Sequence, residues 1–588
     1  MNQDYWVRDL LMLSLLLFAL FGFKLGDRAL WSPDEGRYSE IPREMVASGD
    51  YITPRLNGVK YFEKPPLFYW LQSVSIRLFG VNEWSLRFWT AAFAYLGCLA
   101  VYGSGRSLFG RRAGLISAAV LATSLLYYTM GRIITLDMAV SVLLGCALLA
   151  FLWATRQPMG APRRLGMWVF FVFAALATLT KGLIGIVIPA LVIGVWMLVL
   201  GEWRILKTMY LPSGIALFIL VVLPWHILVS RTNPEFLNFY IVHEHFQRYL
   251  TKRHGPLHQG WIFIPVLLVG MFPWTVFLVQ AIRHNLSLSW RQRRQHREAL
   301  FLILWAGLVF VFFSLSSSKL IPYILPIFPP LAILIGRYFS DTWEKGDWTG
   351  MQSGYWLFLA AGLLLVVIGL AVAPHRVEGY SDPARLAAYL YAVAAVLVVG
   401  PLTTLILGRR VGFPKAFLSM TITAVLILII MNSSLLLFDQ SRSLKSLAGV
   451  LKPRLEPADV VATYHAYYQD LPVYLQRRIT VVGWRGELSF GAQVEDVSSW
   501  IIDDETLWKK WNGPATVYIL TDRERYDKLR ARSGVKFYPV AQTDFHILLS
   551  NRAGPTDARH SMAPPYGAAG FHFQYLLPAR QELREENI

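Results

Sequence analysis

Cysteine and charged residues are scarce in this chain of 588 residues. The sequence contains 2 cysteines, Cys98 and Cys146, and both lie within apolar runs, so a disulfide framework is excluded. Charged residues make up 16% of the positions and apolar residues 55%, a balance that excludes an ordinary soluble domain of this length. A Walker loop, a strand-linked G-x-G-x-x-G motif and zinc-ribbon spacing are also absent, so no nucleotide cofactor is expected. The composition predicts a polytopic α-helical membrane protein.

Long apolar runs recur between residues 9 and 437. A helix needs about 20 apolar residues to cross the hydrocarbon core of a bilayer, and about thirteen runs meet that requirement. The first run lacks a small-residue cleavage site, so we expect it to be retained as a span. The predicted spans are 9–25, 84–103, 114–130, 135–154, 166–181, 183–200, 210–229, 260–281, 300–316, 321–338, 355–373, 386–407 and 416–437.

Lysine and arginine residues cluster in every second connection between these runs. The clusters are Arg106, Arg111 and Arg112; Arg156, Arg163 and Arg164; Arg204 and Lys207; Arg283, Arg291, Arg293, Arg294 and Arg297; and Arg409, Arg410 and Lys415. Short basic loops remain cytoplasmic, which predicts that the first polar loop and everything after Phe438 lie on the outer face. The surplus of 56 basic over 38 acidic residues is therefore mostly topological, and neither a nucleic-acid partner nor an obligate protein partner is expected.

The sequence pattern changes near Asp439. Short β-branched or apolar runs at 459–464, 479–483, 516–521 and 535–540 alternate with stretches of helical composition such as 522–532. This alternation predicts a small α/β domain over residues 439–588, after a membrane domain over residues 1–438. We expect the α/β domain to cover the outer face of the membrane domain. The segment beyond Asn551 is rich in Gly, Pro, Ala and charge, and we expect a flexible tail there.

The polar stretch from Trp31 to Pro66 holds more charge than a connector between spans requires. It reads W-S-P-D-E-G-R-Y-S-E-I-P-R-E-M and later Y-F-E-K-P-P. The other outer connections carry further polar residues: Arg132 and Asp137; Lys181; His245 and Arg248; Lys319 and Tyr323. Carboxylates, imidazoles and cations that converge on one membrane face predict a site for a phosphorylated, lipid-linked molecule. Lys64, Arg248 and Lys319 are the candidate partners of its phosphate.

Three motifs in these segments resemble a known family. They are D-E-x-R-Y-x-E at Asp34–Glu40, E-K-P at Glu63–Pro65 and E-H-x-Q-R at Glu244–Arg248, with a second aspartate at Asp137. The combination is similar to the integral-membrane glycosyltransferases of the C-type (GT-C) fold. It most resembles the aminoarabinose transferases that modify lipid A and confer polymyxin resistance, and more distantly the protein O-mannosyltransferases. The resemblance implies transfer of a sugar from an undecaprenyl-phosphate donor to lipid A or another glycolipid, on the periplasmic face of the bacterial inner membrane.

The resemblance also implies roles for individual residues. Asp34 and Asp137 match the two essential aspartates of the family, and Glu35 lies beside the first. Glu63 and His245 match positions that hold a zinc ion. The substrate-binding set comprises Lys64, Arg248 and Tyr323, which match positions near the donor phosphate, together with Arg37, Tyr38, Arg43 and Lys319.

Several of these residues have a structural alternative. Asp34 has the sequence setting of a residue that caps a helix beginning near Arg37. Glu63 and Lys64 fit an ordinary surface ion pair, and Asp137 is placed to pair with Arg132. His245 fits an interfacial imidazole, because two protein ligands fall short of the three or four that a zinc site usually has.

Three functions remain open on the sequence. The first is inverting transfer of 4-amino-4-deoxy-L-arabinose to lipid A, in which cations neutralise the phosphate leaving group. Asp34 would then orient an ionised acceptor phosphate or offset charge on the sugar. The second is transfer by the same fold to a protein hydroxyl or a different glycolipid, for which Asp34 would act as a base. The third is a transporter of lipid-linked substrates, although the predicted spans show no paired halves.

Overall fold

The computed structural model describes residues 5–240, 260–286, 292–346, 349–377, 382–530 and 535–553. Helices dominate its first three quarters, and a sheet with flanking helices follows. The helices before the sheet are α1 (Trp6–Gly22), α2 (Asp34–Ser48), α3 (Leu67–Phe79), α4 (Glu83–Phe109), α5 (Arg111–Ala122), α6 (Leu125–Met130), α7 (Leu136–Thr155), α8 (Ala161–Lys181), α9 (Ile184–Leu200), α10 (Leu211–Thr232), α11 (Phe263–Gly270), α12 (Leu278–Leu286), α13 (Arg297–Leu315), α14 (Phe328–Lys345), α15 (Thr349–Val377), α16 (Pro383–Arg410) and α17 (Phe413–Ser434).

Within the described ranges, 8 helices are long and apolar enough to cross a membrane. They are α7, α8, α10, α13, Ile321–Lys345, Met351–Ala371, α16 and Phe413–Arg442, and the bent pair Gly260–Gly270 and Trp274–Leu286 would make a ninth. The multi-span helical domain is thus confirmed, whereas the count of thirteen spans stays a prediction. The expected continuous span at 114–130 is wrong, since it divides into α5 and α6. The hydroxyls of Thr123 and Ser124 bond to carbonyls four residues back at this break, a pattern that bends helices.

Helix α7 lies at the centre of the membrane domain. Of its most apolar window, 83% is buried within the protein, compared with 17% for α10. The exposed apolar side chains of peripheral helices such as α10 and α15 form the surface expected to face lipid. Asp137 lies in the first turn of α7, so the most firmly packed helix of the domain positions one of the predicted site residues.

The first polar loop forms α2, a two-stranded hairpin and α3. Strands β1 (Arg55–Leu56) and β2 (Val59–Lys60) pair antiparallel. Asn57 and Gly58 between them have φ of 51° and 84°, the left-handed conformations that an Asn-Gly hairpin turn requires. Helix α2 begins at Asp34 itself, and no side chain caps its first turn. The alternative that Asp34 caps a helix beginning near Arg37 is therefore wrong.

The C-terminal part is the predicted α/β domain. Its helices are α18 (Asp439–Arg442), α19 (Lys445–Leu451), α20 (Asp470–Leu475), α21 (Ser489–Val494), α22 (Asp504–Trp511) and α23 (Arg523–Arg530), and its strands are β3 (Val460–Tyr464), β4 (Thr480–Val482), β5 (Ile501–Ile502), β6 (Val517–Asp522), β7 (Tyr538–Gln542) and β8 (His546–Ser550). The sheet order is β5-β4-β3-β6-β8-β7. The first four strands of this order run parallel to one another, and β8 is antiparallel to both of its neighbours, β6 and β7. The expected tail lies largely at 554–588, outside the described residues.

This domain packs directly on the first polar loop. Asn57 exchanges two hydrogen bonds with the backbone of Ile479, at 2.9 and 3.0 Å. Asp439 accepts from the backbone N–H of Ala29 at 3.0 Å and from the indole N–H of Trp31 at 2.8 Å. The turn before α20 approaches α2 so closely that a Cβ atom at Gly36 would lie 2.5 Å from the carbonyl carbon of Gln469. The C-terminal domain thus covers the segment that carries the predicted catalytic residues.

Gly36→Ala is expected to weaken this contact. The added methyl would collide with backbone, which cannot rotate away, so we expect a loss of about 1–3 kcal/mol in stability. The measurement is the thermal unfolding midpoint of the purified protein. Gly449→Ala in α19 is the matched control, because nothing lies within 4 Å of a Cβ atom there. Equal midpoints for the two variants would contradict the close approach.

Candidate active site

Asp34 lies at the start of α2, where its side chain faces solvent while most of the helix that follows is buried. Its own side chain is 55% exposed, and its Oδ1 atom is 3.7 Å from Nη1 of Arg37. Desolvation by the surrounding protein raises the pKa of Asp34, and the charge of Asp137 raises it further, while Arg37 and Lys181 oppose the shift. A carboxylate that is open to solvent yet enclosed by protein at longer range is typical of a functional cleft.

Asp137 and Lys181 form the second part of the site. Asp137 lies in the first turn of α7 and Lys181 ends α8, and their side chains form an ion pair. The ammonium group of Lys181 lies 4.8 Å from the centre of the Tyr323 ring. Because the charges of both Asp137 and Lys181 act on Asp34, the structure brings together groups from the first loop, α7, α8 and the segment containing Tyr323.

Arg132 does not pair with Asp137. Its guanidinium donates to the carbonyl oxygens of Phe21 and Phe23 at 2.8 and 2.5 Å, and to the Asn432 side chain at 3.1 Å. Arg132 therefore joins the end of α1 to α17, and the alternative that Asp137 is a structural partner of Arg132 is wrong.

Arg37 connects the first loop to the C-terminal domain. Its Nε atom is 2.5 Å from Oε2 of Glu487, and Oε1 of Glu487 accepts a hydrogen bond from the Gln469 amide at 2.7 Å. Desolvation alone would lower the pKa of Arg37, but the Glu487 carboxylate raises it well above its usual value. Arg37 thus remains charged beside Asp34.

Three tyrosines form an aromatic wall next to these charges. Tyr38 stacks on Tyr69 with ring centres 6.3 Å apart, and Tyr61 is buried beside them. Burial raises the pKa of all three phenols, and the charge of Glu63 adds to the shift. Among the described residues, no group hydrogen-bonds to the buried hydroxyls of Tyr61 and Tyr69. Aromatic faces with polar tips suit a ligand that has both carbon–hydrogen and hydroxyl surfaces.

The E-K-P motif lies at the edge of this wall. The Lys64 ammonium donates to the backbone carbonyl oxygen of Glu63 at 2.7 Å, and Glu63 is close enough to Glu487 to act on its pKa. Lys64 therefore supplies a cation near the Asp34 cluster.

Glu35 belongs to the protein interior, which corrects its predicted catalytic role. It is 1% exposed, and its carboxylate accepts two hydrogen bonds from Arg87 at 2.8 Å and forms an ion pair with Arg28 at 2.8 Å. Burial alone would raise the pKa of Glu35, but the two arginines outweigh it and hold the pKa at about 2. A carboxylate with both oxygens engaged and no exposed surface cannot contact a substrate, so Glu35 anchors the loop.

Arg43 is likewise structural, in place of its predicted substrate contact. Its guanidinium bonds to Glu40 at 2.5 and 2.6 Å inside the protein. Lys319 donates to the carbonyl oxygen of Ser316, a few residues before Tyr323, and its substrate role stays a prediction. His245 and Arg248 lie outside the described residues.

The predicted metal ligands are Glu63, which the structure describes, and His245, which lies outside the described residues. In the described part of the chain there is no group of three or more His, Cys, Asp or Glu side chains arranged to hold a metal ion. The Glu487 carboxylate and the phenols of Tyr38, Tyr61 and Tyr69 lie close enough to Glu63 to interact with its charge, and phenols are not among the usual zinc ligands. The fit to zinc therefore depends on His245.

Lys181 and Glu487 were assigned no role from the sequence. Lys181 was placed only among the polar residues of the outer connections, and its pairing with Asp137 depends on how α7 and α8 pack. Glu487 lies in a different domain, and nothing in the local sequence marks it. Both emerge only when segments distant in sequence meet.

Comparisons with known proteins identify relatives of this chain. A family model described as dolichyl-phosphate-mannose-protein mannosyltransferase matches residues 6–240, and one described as aminoarabinose transferase C-terminal domain matches residues 447–551. The undecaprenyl phosphate-alpha-4-amino-4-deoxy-L-arabinose arabinosyl transferase of Aeromonas hydrophila is 33% identical over 405 residues, which cover 68% of this chain and 73% of that protein. The protein of the same name from Pectobacterium atrosepticum is 29% identical over 530 residues, covering 88% and 93%.

Solved structures give the same result. The crystal structure of ArnT from Cupriavidus metallidurans bound to undecaprenyl phosphate superposes with a TM-score of 0.79 at 30% identity, covering 94% of this chain and 100% of that one. The apo form of that protein gives a TM-score of 0.78 at 29% identity, with 94% and 99% covered.

Proposed function

The chain belongs to the undecaprenyl phosphate-α-4-amino-4-deoxy-L-arabinose arabinosyl transferases, and on that premise we propose that it transfers this aminopentose to lipid A with inversion at the sugar. It is a GT-C glycosyltransferase that uses an undecaprenyl-phosphate-linked sugar donor. The observation that carries the proposal is the meeting of Asp34, Asp137 and Lys181 in one site, each from a different segment.

The cations of the site would stabilise the leaving group. As the bond between the anomeric carbon and the donor phosphate oxygen breaks, negative charge grows on the phosphate. Fixed cations in a poorly hydrated site stabilise such charge without having to reorganise. Lys181 and Lys64 are the cations of the described residues placed for this, and Arg248 would join them from a segment outside those residues.

Asp34 would act on the acceptor side. A phosphate of lipid A is already ionised at neutral pH, so its oxygen can attack the anomeric carbon without losing a proton. Asp34 would then orient the acceptor or offset the positive charge that develops on the sugar ring. With a hydroxyl acceptor, the same carboxylate would take the proton, and its raised pKa makes it a better base than an ordinary aspartate.

The decisive experiment is the mass of lipid A from cells that make the aminoarabinose donor. Expression of this chain is expected to add one aminopentose to lipid A, and expression of Asp34→Asn is expected to add none. Unchanged lipid A would contradict the proposed acceptor. A hexose on protein would instead favour the mannosyltransferase-like alternative that the match over residues 6–240 suggests.

We further propose that Glu63 and His245 hold a zinc ion, whose chemistry would be to fix and polarise oxygen ligands at the edge of the site. Elemental analysis of the purified protein is expected to find about one equivalent of zinc, and His245→Ala is expected to remove it. Asp27→Asn, on an exposed loop residue, should leave the zinc content unchanged. Zinc at the wild-type level in His245→Ala would contradict this ligand set.

The site and the C-terminal domain would lie on the periplasmic side of the bacterial inner membrane. The alternating basic loops support this orientation, and the contacts of the C-terminal domain with the first loop require both to share one face. Reporter fusions after Phe438 should therefore behave as periplasmic, and fusions within residues 291–297 as cytoplasmic. Cytoplasmic behaviour of both fusions would contradict the orientation.

A further inference from the structure

Glu487 is the residue through which the C-terminal domain reaches the candidate active site. It lies in the turn Gly486–Leu488, and its side chain is only 10% exposed. One carboxylate oxygen lies 2.5 Å from Arg37 Nε, and the other accepts from Gln469 at 2.7 Å. Glu487 is thus fixed from its own domain by Gln469 and directs its other oxygen toward the first loop.

Arg37 transmits this position to Asp34. The guanidinium is a rigid plane, so the close ion contact between Nε and the Glu487 carboxylate restricts where Nη1 can lie. In this structure Nη1 is 3.7 Å from Asp34 Oδ1, beyond hydrogen-bond distance, although the two residues are one helical turn apart. Without Glu487, Arg37 would be free to turn onto Asp34 and form a direct pair with it.

We propose that Glu487 is a positioning residue that holds Arg37 away from Asp34 and so keeps the Asp34 carboxylate available to the substrate. The C-terminal domain then completes the transferase site in addition to covering it. This inference rests on the proposed function, since Asp34 matters here as the group that acts on the acceptor.

The charges around Asp34 and Glu487 determine in which direction the pKa of Asp34 should change when Glu487 is neutralised. Asp34 is faced by Arg37 and Glu35 from α2, by Asp137 from α7 and by Lys181 from α8. Glu487 is faced by Arg37, Gln469, Glu63 and Asp34. Neutralising Glu487 removes a negative charge near Asp34 and frees Arg37 to approach it. Both changes lower the pKa of Asp34, so the acid limb of the kcat/KM profile should move to lower pH.

The test is Glu487→Gln in the full-length enzyme, assayed with a polyprenyl-phosphate sugar donor. We expect kcat to fall between about tenfold and a hundredfold, KM for the donor to change little, and the acid limb to shift downward in pH. Glu487→Asp, which keeps the charge, is expected to recover part of kcat and the original acid limb.

Glu495→Gln is the matched control. Glu495 also joins the C-terminal domain to the first loop, through Arg55 at 2.9 Å and the backbone N–H of Lys60 at 3.0 Å, but it has no bond to the Asp34 cluster. Its loss tests domain docking alone, and we expect kcat and the pH profile to stay near wild type.

The outcomes separate the inference from the function. No transfer by the wild-type enzyme would overturn the proposed function itself. Transfer by the wild type with equal kcat losses in Glu487→Gln and Glu495→Gln, and no shift of the acid limb, would overturn the positioning role of Glu487.

Discussion

Asp34→Asn is expected to lose at least about a hundredfold in transfer rate while the protein folds normally. The substitution keeps the shape of the side chain and removes the charge that faces solvent near Lys181 and Asp137. Because Asp34 is 55% exposed and makes no capping bond to the backbone within the described residues, its loss should not unfold α2. The measurements are the rate of sugar transfer and the thermal unfolding midpoint of the same preparation.

Asp27→Asn provides the matched control for Asp34. Asp27 is 48% exposed and pairs with Lys24 at 3.7 Å, so it has similar exposure and a similarly loose ion pair shortly before the loop. It should transfer at the wild-type rate. A comparable loss in both variants, or near wild-type transfer by Asp34→Asn, would show that the Asp34 carboxylate is not part of the chemistry.

Glu35→Gln is expected to cost about 3–5 kcal/mol of stability, because it leaves two buried arginines without their shared anion. Arg28 and Arg87 are 7% and 1% exposed, so water cannot replace the carboxylate. The measurement is the thermal unfolding midpoint, and the neighbouring Asp34→Asn variant shows what loss of an exposed carboxylate does. A midpoint equal to that of Asp34→Asn would contradict the structural role of Glu35.

The same cluster predicts a pH dependence. The pKa of Glu35 falls from 4.5 to about 2 in the folded protein, so the contribution of its charge to stability is complete above pH 4.5. That contribution should decline as the pH falls from about 4.5 to about 2. The corresponding slope of stability against pH should be missing in Glu35→Gln.

The contrast between Asp34 and Glu35 shows which features of the site could be predicted from the sequence and which could not. The acid-rich loop indicated a charged site, but two adjacent acids cannot be assigned separate roles until the helix is placed. Successive residues of a helix point about 100° apart, so a helix that begins at Asp34 directs the Asp34 side chain to solvent and the Glu35 side chain into the protein interior. A helix beginning near Arg37 would have given no such division.

Other differences have similar causes. The Glu40–Arg43 pair lies three residues apart on one helix, a spacing visible in the sequence, yet Arg43 was interpreted as a substrate contact because charge in that loop suggested function. The apolar run at 114–130 gave no sign of its break, since Thr123 and Ser124 are tolerated within spans. The membrane domain was predictable because long apolar runs mark its spans, and the α/β domain because short apolar runs alternate with stretches of helical composition.

The attachment of the C-terminal domain to the first loop determines when the enzyme becomes complete during its synthesis. Ser32 bonds to Asp470 at 2.6 Å, across a separation of 438 residues. The loop that carries Asp34 leaves the ribosome early and is anchored early through Glu35 and Arg87, but its partners in the C-terminal domain follow only after the last span. The nascent protein therefore carries this loop uncovered through almost the whole of translation. The candidate site receives Glu487 and its covering domain only at the end of synthesis.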